Sequence, residues 1–424
     1  MALAEKYNEE PERNGFKWSD HFIIKIPDDY GSFWPEECCI HQIPRNLRDL
    51  NDAAYTPQFI SIGPIHHGKP ELANMEKYKY LYLQKFLART EKKLETFADF
   101  IKDREESIRR KYSEPFKNLD SKDYATMILL DAFFIFELFL GTDDENAGCK
   151  NDCVLQKAWL KTGIQHDLML LENQLPYSDL ANLYTFAFPD DPKRLFYPLA
   201  GTYFSNYNPN RIILQEKGIL HFTDMIRGFM SQTLERKKPS SRIKNLKVPA
   251  KKLSEAGIKF ERVENGNLAD VDFCKGILKL PQFEAHDTTE LVFRNVMALE
   301  QSEYPNEAYI TSYILLMDFL INSNKDVAFL VERGIVTNGL GSCQAVADMI
   351  NKLCRNITET NFHFQDICDD LNKFCESWWH KVAAIWNGEY FKDVWHGTGT
   401  IFGFILVLLT FINSICSILA VIYG

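Results

Sequence analysis

The chain has 424 residues, with 48 Lys+Arg against 58 Asp+Glu, a formal net charge of −10, and 46% hydrophobic and 25% charged residues. That mixture excludes a disordered tail, a collagen and a disulfide-dense mini-domain, and its negative balance argues against a protein that coats nucleic acid. At about 150 residues per domain the length suits two to three domains, and ten cysteines without framework spacing suit a reducing compartment.

In chain order, residues 1–20 carry Glu5, Glu9, Glu10 and Glu12 but neither a basic n-region nor an apolar h-region. They read as a disordered acidic leader without a targeting signal. His21 to Ile26 and Gln58 to Ile62 give short strand signals. His66-His67-Gly68, following Gly63-Pro64, reads as a turn, since adjacent histidines point apart on most backbones. Asn74 to Tyr112 lacks Pro and Gly, and Leu83, Leu87, Leu94, Phe97, Ile101 and Ile108 follow 3–4 spacing. This predicts one long amphipathic helix packed on a bundle.

Tyr124 to Gly141 is apolar enough to suggest a membrane span but holds Asp131 and Glu137. An acid at a membrane centre costs about 3 kcal/mol, so the stretch predicts the central buried helix of a globular domain, its carboxylates hydrogen-bonded. Six residues apart, the two acids face different ways and do not form an acid–base pair. Asp152 to Asn173 predicts a further helix, and Pro176 ends it or starts a turn. Neither Cys38-Cys39 nor the pair Cys149 and Cys153 has zinc-type spacing.

Ser231 to Lys252 breaks the composition, with eight basic residues against Glu235 alone. It predicts a solvated linker between two lobes, 21–230 and 253–395, with anionic lipid headgroups as an alternative contact. No aromatic residue interleaves the charges as nucleic-acid binding would need. Beyond it, strands are predicted at Ile258 to Val263 and Val271 to Leu280. Helices follow at Thr288 to Ser302, Glu307 to Asn322, Asp326 to Arg333 with Gly334 as its cap, Gly341 to Arg355 and Phe362 to Trp386. Asn356-Ile357-Thr358 is a glycosylation acceptor if that part faces a lumen.

Ile401 to Tyr423 has no charged residue. As a helix it extends roughly 35 Å, enough for a hydrocarbon core of about 30 Å, and Trp386, Tyr390, Phe391 and Trp395 precede it as headgroup anchors. It is expected to span a membrane. Thr410, Asn413, Ser414 and Ser417 form a polar seam on this helix, suited to self-association, the alternative being bonds to carbonyls one turn back. Lys381 and Lys392 on its N-terminal side favour a cytosolic bulk.

No phosphate-binding glycine loop or G-x-S-x-G elbow occurs, so no enzyme activity, cofactor or metal is expected. The alternative is a metal-dependent hydrolase or transferase using His66, His67, His166 and Asp167.

Several ordered blocks carry a resemblance. Ile40-His41-Gln42-Ile43-Pro44, Tyr55-Thr56-Pro57, Ile60 to Gly68, Leu129 to Phe134 and above all Asp167 to Pro176 resemble the plant family known as domain of unknown function 247. Arg294-Asn295, Leu299-Glu300-Gln301 and Tyr309 to Leu320 continue the likeness towards the C-terminal helix. Ile65 stands where the family often has Tyr, and His166 fills a variable position, which weakens the hydrolase alternative. The resemblance implies a mainly α protein of flowering plants with one C-terminal membrane helix and no known activity. Grass relatives associated with self-incompatibility loci suggest recognition at a membrane. Asp167, Glu172, Asn173, Gln174 and Pro176 are candidate interaction residues on this basis, with a core role as the competing reading.

The expectation is therefore a mainly α, bundle-like globular domain over 21–395 with a few short strands, plus a transmembrane helix at 401–423. Its expected role is recognition or signalling and not catalysis; its expected partners are membrane lipid through Ile401 to Tyr423, an unknown protein and a second copy through the membrane helix, with no nucleic acid. The expected place is the plasma membrane.

Overall fold

The structure, a computed structural model, describes residues 37–114, 116–143, 152, 154–189, 195–231, 240, 245–264, 266–358, 361–385, 403 and 405–415. The described residues from Cys38 onward belong to one compact unit. The acidic leader, the strand signal at His21 to Ile26, Cys149 and Cys153, most of 231–252, the aromatic anchors from Trp386 to Trp395, and both ends of 401–423 with Ser417 lie outside the described residues.

The chain is mainly helical. The first half carries α1 (Arg45–Arg48), α2 (Ala73–Arg89), α3 (Leu94–Lys102), α4 (Glu105–Arg110), α5 (Ser121–Asp143), α6 (Ala158–Asp167), α7 (Tyr177–Ala187), α8 (Phe196–Tyr203) and α9 (Phe222–Ser231). The second carries α10 (Ala250–Glu255), β1 (Lys259–Arg262), β2 (Asp272–Cys274), β3 (Ile277–Leu280), β4 (Phe283–Ala285), α11 (Thr289–Glu303), α12 (Tyr309–Leu320), α13 (Asn324–Glu332), β5 (Val336–Asn338), α14 (Cys343–Leu353) and α15 (Gln365–Ile385).

The apolar stretch around Phe133 becomes α5, the axis of the first half, and its carboxylates find partners as expected. It is covered by α2, α3 and α8. Phe86 meets Phe133 at 4.6 Å and Phe136 at 5.2 Å between ring centroids, and Phe139 stacks on Tyr203 at 4.4 Å. Asp131 lies 2.6 Å from Lys79 and accepts the Gly63 N–H at 2.8 Å, while Glu137 lies 2.6 Å from Arg89. Both cations stand on α2, so the pairs fix α2 to α5 as well as neutralising buried charge.

The single helix expected over Asn74 to Tyr112 is broken into α2, α3 and α4. Thr90 and Lys93 adopt extended geometry at ψ 153° and 156°. Thr90 to Lys93 has no apolar side chain to hold a helix on the core, and the Thr90 hydroxyl donates to Leu87 O at 3.3 Å. The break returns Phe97 and Ile101 to α5, where both are buried; a straight helix would carry them away.

Two further expectations change. Among the described residues of Asp152 to Asn173 only Ala158–Asp167 is helical, and Pro176 starts a turn, the first of α7, the second of the two readings the sequence left open. Gln58 to Ile62 is irregular, because side chains take the N–H groups that a strand partner would have taken.

Val271 to Leu280 folds as a hairpin, β2 antiparallel to β3, turning through Lys275 (φ 50°) and Gly276 (φ 79°). Positive φ at both central residues matches the right-handed twist of the strands and favours glycine. Strand β1 joins β3 in parallel, and β4 pairs with β5 in parallel, a contact the short runs did not signal. One hydrophobic cluster extends from Cys39 to Cys375 and includes residues on both sides of 231–252.

Lys79→Met should destabilise the protein by about 3–5 kcal/mol, because Asp131 would keep a buried charge without its cation. Adding Asp131→Leu to that variant should recover part of the loss, less the value of the bond to Gly63. Urea denaturation of the single and double variants measures both effects.

Candidate functional site

The block from Asp167 to Pro176 faces inward. Asp167 is buried at the end of α6, and its two oxygens accept the N–H groups of Gln58 (3.0 Å), Phe59 (2.7 Å) and Ile60 (2.8 Å). Burial pushes its carboxyl up to about 6, against the pull of those three donors. Asn173 accepts from Ile62 N at 2.7 Å and donates to Ile60 O and Asp167 O at 3.0 Å each. Gln174 donates to Leu168 O and Leu170 O and accepts from Phe222 N at 3.0 Å. Gly63 fits here at φ 72°, since a Cβ would come within 2.4 Å of Gln174 O.

Glu172 completes the junction. It accepts Ile43 N–H at 2.6 Å, pairs with Arg48, and lies 3.0 Å from His66 Nε2. Burial would raise its carboxyl, but the hydrogen bonds from His66, Arg48 and the Ile43 backbone hold it below the usual range. Asn295 on α11 extends the network, accepting Leu171 N–H at 2.9 Å and donating to Ala54 O at 2.7 Å. Pro176 is also buried. The candidate interaction residues thus spend their polar atoms on the chain itself.

The alternative hydrolase set is dispersed in role. His66 is buried against Glu172, His67 is exposed, His166 is half-buried, and Asp167 is occupied by three backbone donors. Burial lowers the His166 pKa. Among the described residues, no group of three or more His, Cys, Asp or Glu is placed to hold a metal ion. On Ile405–Ile415, the described part of the C-terminal run, Thr410 and Ser414 donate to Leu406 O and Thr410 O one turn back, at 2.6 and 2.8 Å. Large apolar side chains are exposed along it, including Val407 at 70% and Phe411 at 67%.

A separate cleft of about 500 Å³ opens where β1, β4 and the start of α11 meet the end of α9 and the loop before it. Phe229, Phe283 and Phe293 give it an apolar floor, all three nearly fully buried. Polar groups make the walls. Glu264 holds Arg262 Nη2 at 3.0 Å, and Arg262 Nη1 donates to Gln282 Oε1 at 3.2 Å. His286 Nε2 lies 3.6 Å from Glu284. No sequence motif marked these residues, which come from separate short elements; only alternation on the strands around them was legible.

Residues 40–409 match the family model described as a plant protein of unknown function, DUF247. The chain belongs to this family. A UPF0481 protein of Arabidopsis thaliana is 28% identical over 91% of this chain and 87% of its own length. A putative UPF0481 protein of the same plant is 29% identical over 39% of this chain and 32% of its own. No solved structure matches. The DUF247 blocks coincide with the buried polar junction: Ile40 to Pro44 reaches Glu172, Ile60 to Gly68 reaches Asp131 and Asn173, and Arg294-Asn295 reaches Leu171.

Asp167→Asn replaces one acceptor oxygen with a donor that faces a backbone N–H. It should cost about 1–3 kcal/mol, read as a lower denaturation midpoint. His41 supplies a pH-dependent test. Burial would depress it, but hydrogen bonds with Cys38 and Glu303 outweigh that and raise it from 6.5 to about 9. A raised histidine contributes stability fully below 6.5 and loses it as pH rises through about 9. His41→Gln should therefore be less stable than the parent at pH 6, with the difference shrinking above pH 9. A constant difference across that window would refute the assignment.

Proposed function

We propose that this DUF247 chain is a membrane-anchored recognition component, tethered by the helix at 401–423 with its large globular part in the cytosol. The observation that carries the tether is the exposure of apolar side chains along Ile405–Ile415, when those of α5 are covered by protein. Leu406, Val407, Leu409 and Phe411 are all more than half exposed, and a stripe of this kind on one short helix calls for lipid or another helix against it. The uncharged run containing it is long enough for a bilayer. Thr410 and Ser414 satisfy their hydroxyls within their own helix, as hydrocarbon surroundings require. The recognition role rests on the family resemblance, and the partner is a protein at the same membrane.

The full chain, expressed in plant cells, should stay in the pellet after alkaline carbonate extraction of membranes. Leu409→Arg places a charge near the middle of the span, at a cost of about 2.5–3.5 kcal/mol for insertion, and should shift a substantial share to the soluble fraction. Release of the parent chain by carbonate would sink the tether. Asn356 is exposed, so a deglycosylation shift abolished by Asn356→Gln would instead overturn the cytosolic orientation.

A further inference from the structure

We propose that the cleft over Phe229, Phe283 and Phe293 binds a neutral, polyhydroxylated ligand of the oligosaccharide or glycoside class. This goes beyond the membrane reading and stands without it. The volume of about 500 Å³ lies within the range of small-molecule sites, about 300–1,000 Å³.

The chemistry of the walls selects the class. Glu264, Arg262 and Gln282 line the cleft as one hydrogen-bonded chain, which Gln282 Nε2 continues to Thr337 Oγ1, beyond the lining, at 2.7 Å. Asn210 Nδ2 donates to Asn267 Oδ1 at 3.0 Å and to Gly266 O at 3.3 Å. Carboxylate, amide and guanidinium groups each offer several donor or acceptor positions, so such a lining presents both kinds side by side. A hydroxyl both donates and accepts, and a ring bearing several hydroxyls can satisfy a mixed lining at many points. The internal bonds hold the wall side chains in place before a ligand arrives, which lowers the ordering cost of about 0.5–1.5 kcal/mol per side chain.

Other ligand classes fit less well. Glu264 and Glu284 outnumber Arg262, so an anion meets no excess of positive charge, and a cation approaching Glu264 meets the guanidinium paired with it. A wholly apolar molecule would strip water from those donor and acceptor positions of the walls that the internal bonds leave over, at about 1–3 kcal/mol per stranded group. A sugar presents hydroxyls at its edge and C–H groups on its face. The hydroxyl edge suits the polar walls, while Phe229, Phe283 and Phe293, nearly fully buried, give the floor its apolar character.

The test uses the full chain in lipid nanodiscs, titrated calorimetrically with cellotriose, xylotriose and maltotriose as neutral probes. Trigalacturonate and triglucosamine serve as charged counterparts, and empty nanodiscs as the blank. At least one neutral trimer should bind saturably at one site per chain, and each charged trimer at least about tenfold more weakly. Arg262→Ala and Asn210→Ala should each weaken that binding about tenfold with an unchanged melting temperature. Where an alanine variant melts lower, Arg262→Lys and Asn210→Asp are read in its place. Absence of binding by every neutral trimer, tighter binding of a charged one, or binding that survives both substitutions overturns the proposal.

Discussion

A buried stretch of backbone outside helix and sheet must still find a partner for nearly every N–H, and the segments at Ile43 and from Phe59 to Gly63 are of this kind. Their donors are met by side chains: Glu172 takes Ile43, Asp167 takes Phe59, Ile60 and the adjoining Gln58, Asn173 takes Ile62, and Asp131 takes Gly63. Each acceptor is held in turn. Lys79 pairs with Asp131, Arg48 with Glu172, and Asn173 ties Ile60 O to Asp167 O. Gln174 and Asn295 then carry the network to α9 and α11. The two halves of the chain are thereby joined through hydrogen bonds that tolerate little displacement, since a half-satisfied buried network costs more than an apolar one.

Much of the helical framework was legible because burial repeats with helical period. The helices from Thr289 to Leu353 fall close to their expected bounds, with Gly334 at φ 67° after α13. The breaks at Thr90 and after Asp167 were not legible. In the first, a short polar run lets the chain turn back, a gain realised only once α5 is present as a surface. In the second, Leu168 to Leu171 continue an apolar pattern, but the polar residues after them pair with segments more than a hundred residues away. Pattern reading sees neighbours along the chain, and these bonds are tertiary.

The same separation along the chain hides the nature of the Asp167 to Pro176 block. Aspartate, glutamate, histidine and asparagine close together in sequence suggested a binding surface or a metal centre, since those residue types do both kinds of work. In the fold they also solve a backbone problem, and burial decides between the uses. Asn173 and Gln174 have no exposed surface to offer a partner. The cleft carries the opposite signature. Its wall residues come from short strands and loops with no motif among them, yet they converge on one open volume.

Two apolar helices show how little composition alone decides. Ser121–Thr142 and Ile405–Ile415 are both greasy, but the first is 83% buried within its most apolar window and the second exposes most of its large side chains. The difference lies in the polar residues each contains. Asp131 and Glu137 require cations and donors from elsewhere, so α5 is usable only where α2 supplies Lys79 and Arg89. Thr410 and Ser414 bond within their own helix and ask nothing of a neighbour. A helix whose polar demands close on itself can be surrounded by hydrocarbon, and one whose demands do not must be surrounded by protein. On that physical ground the terminal helix supports the anchoring proposal, while α5 is committed to the globular core.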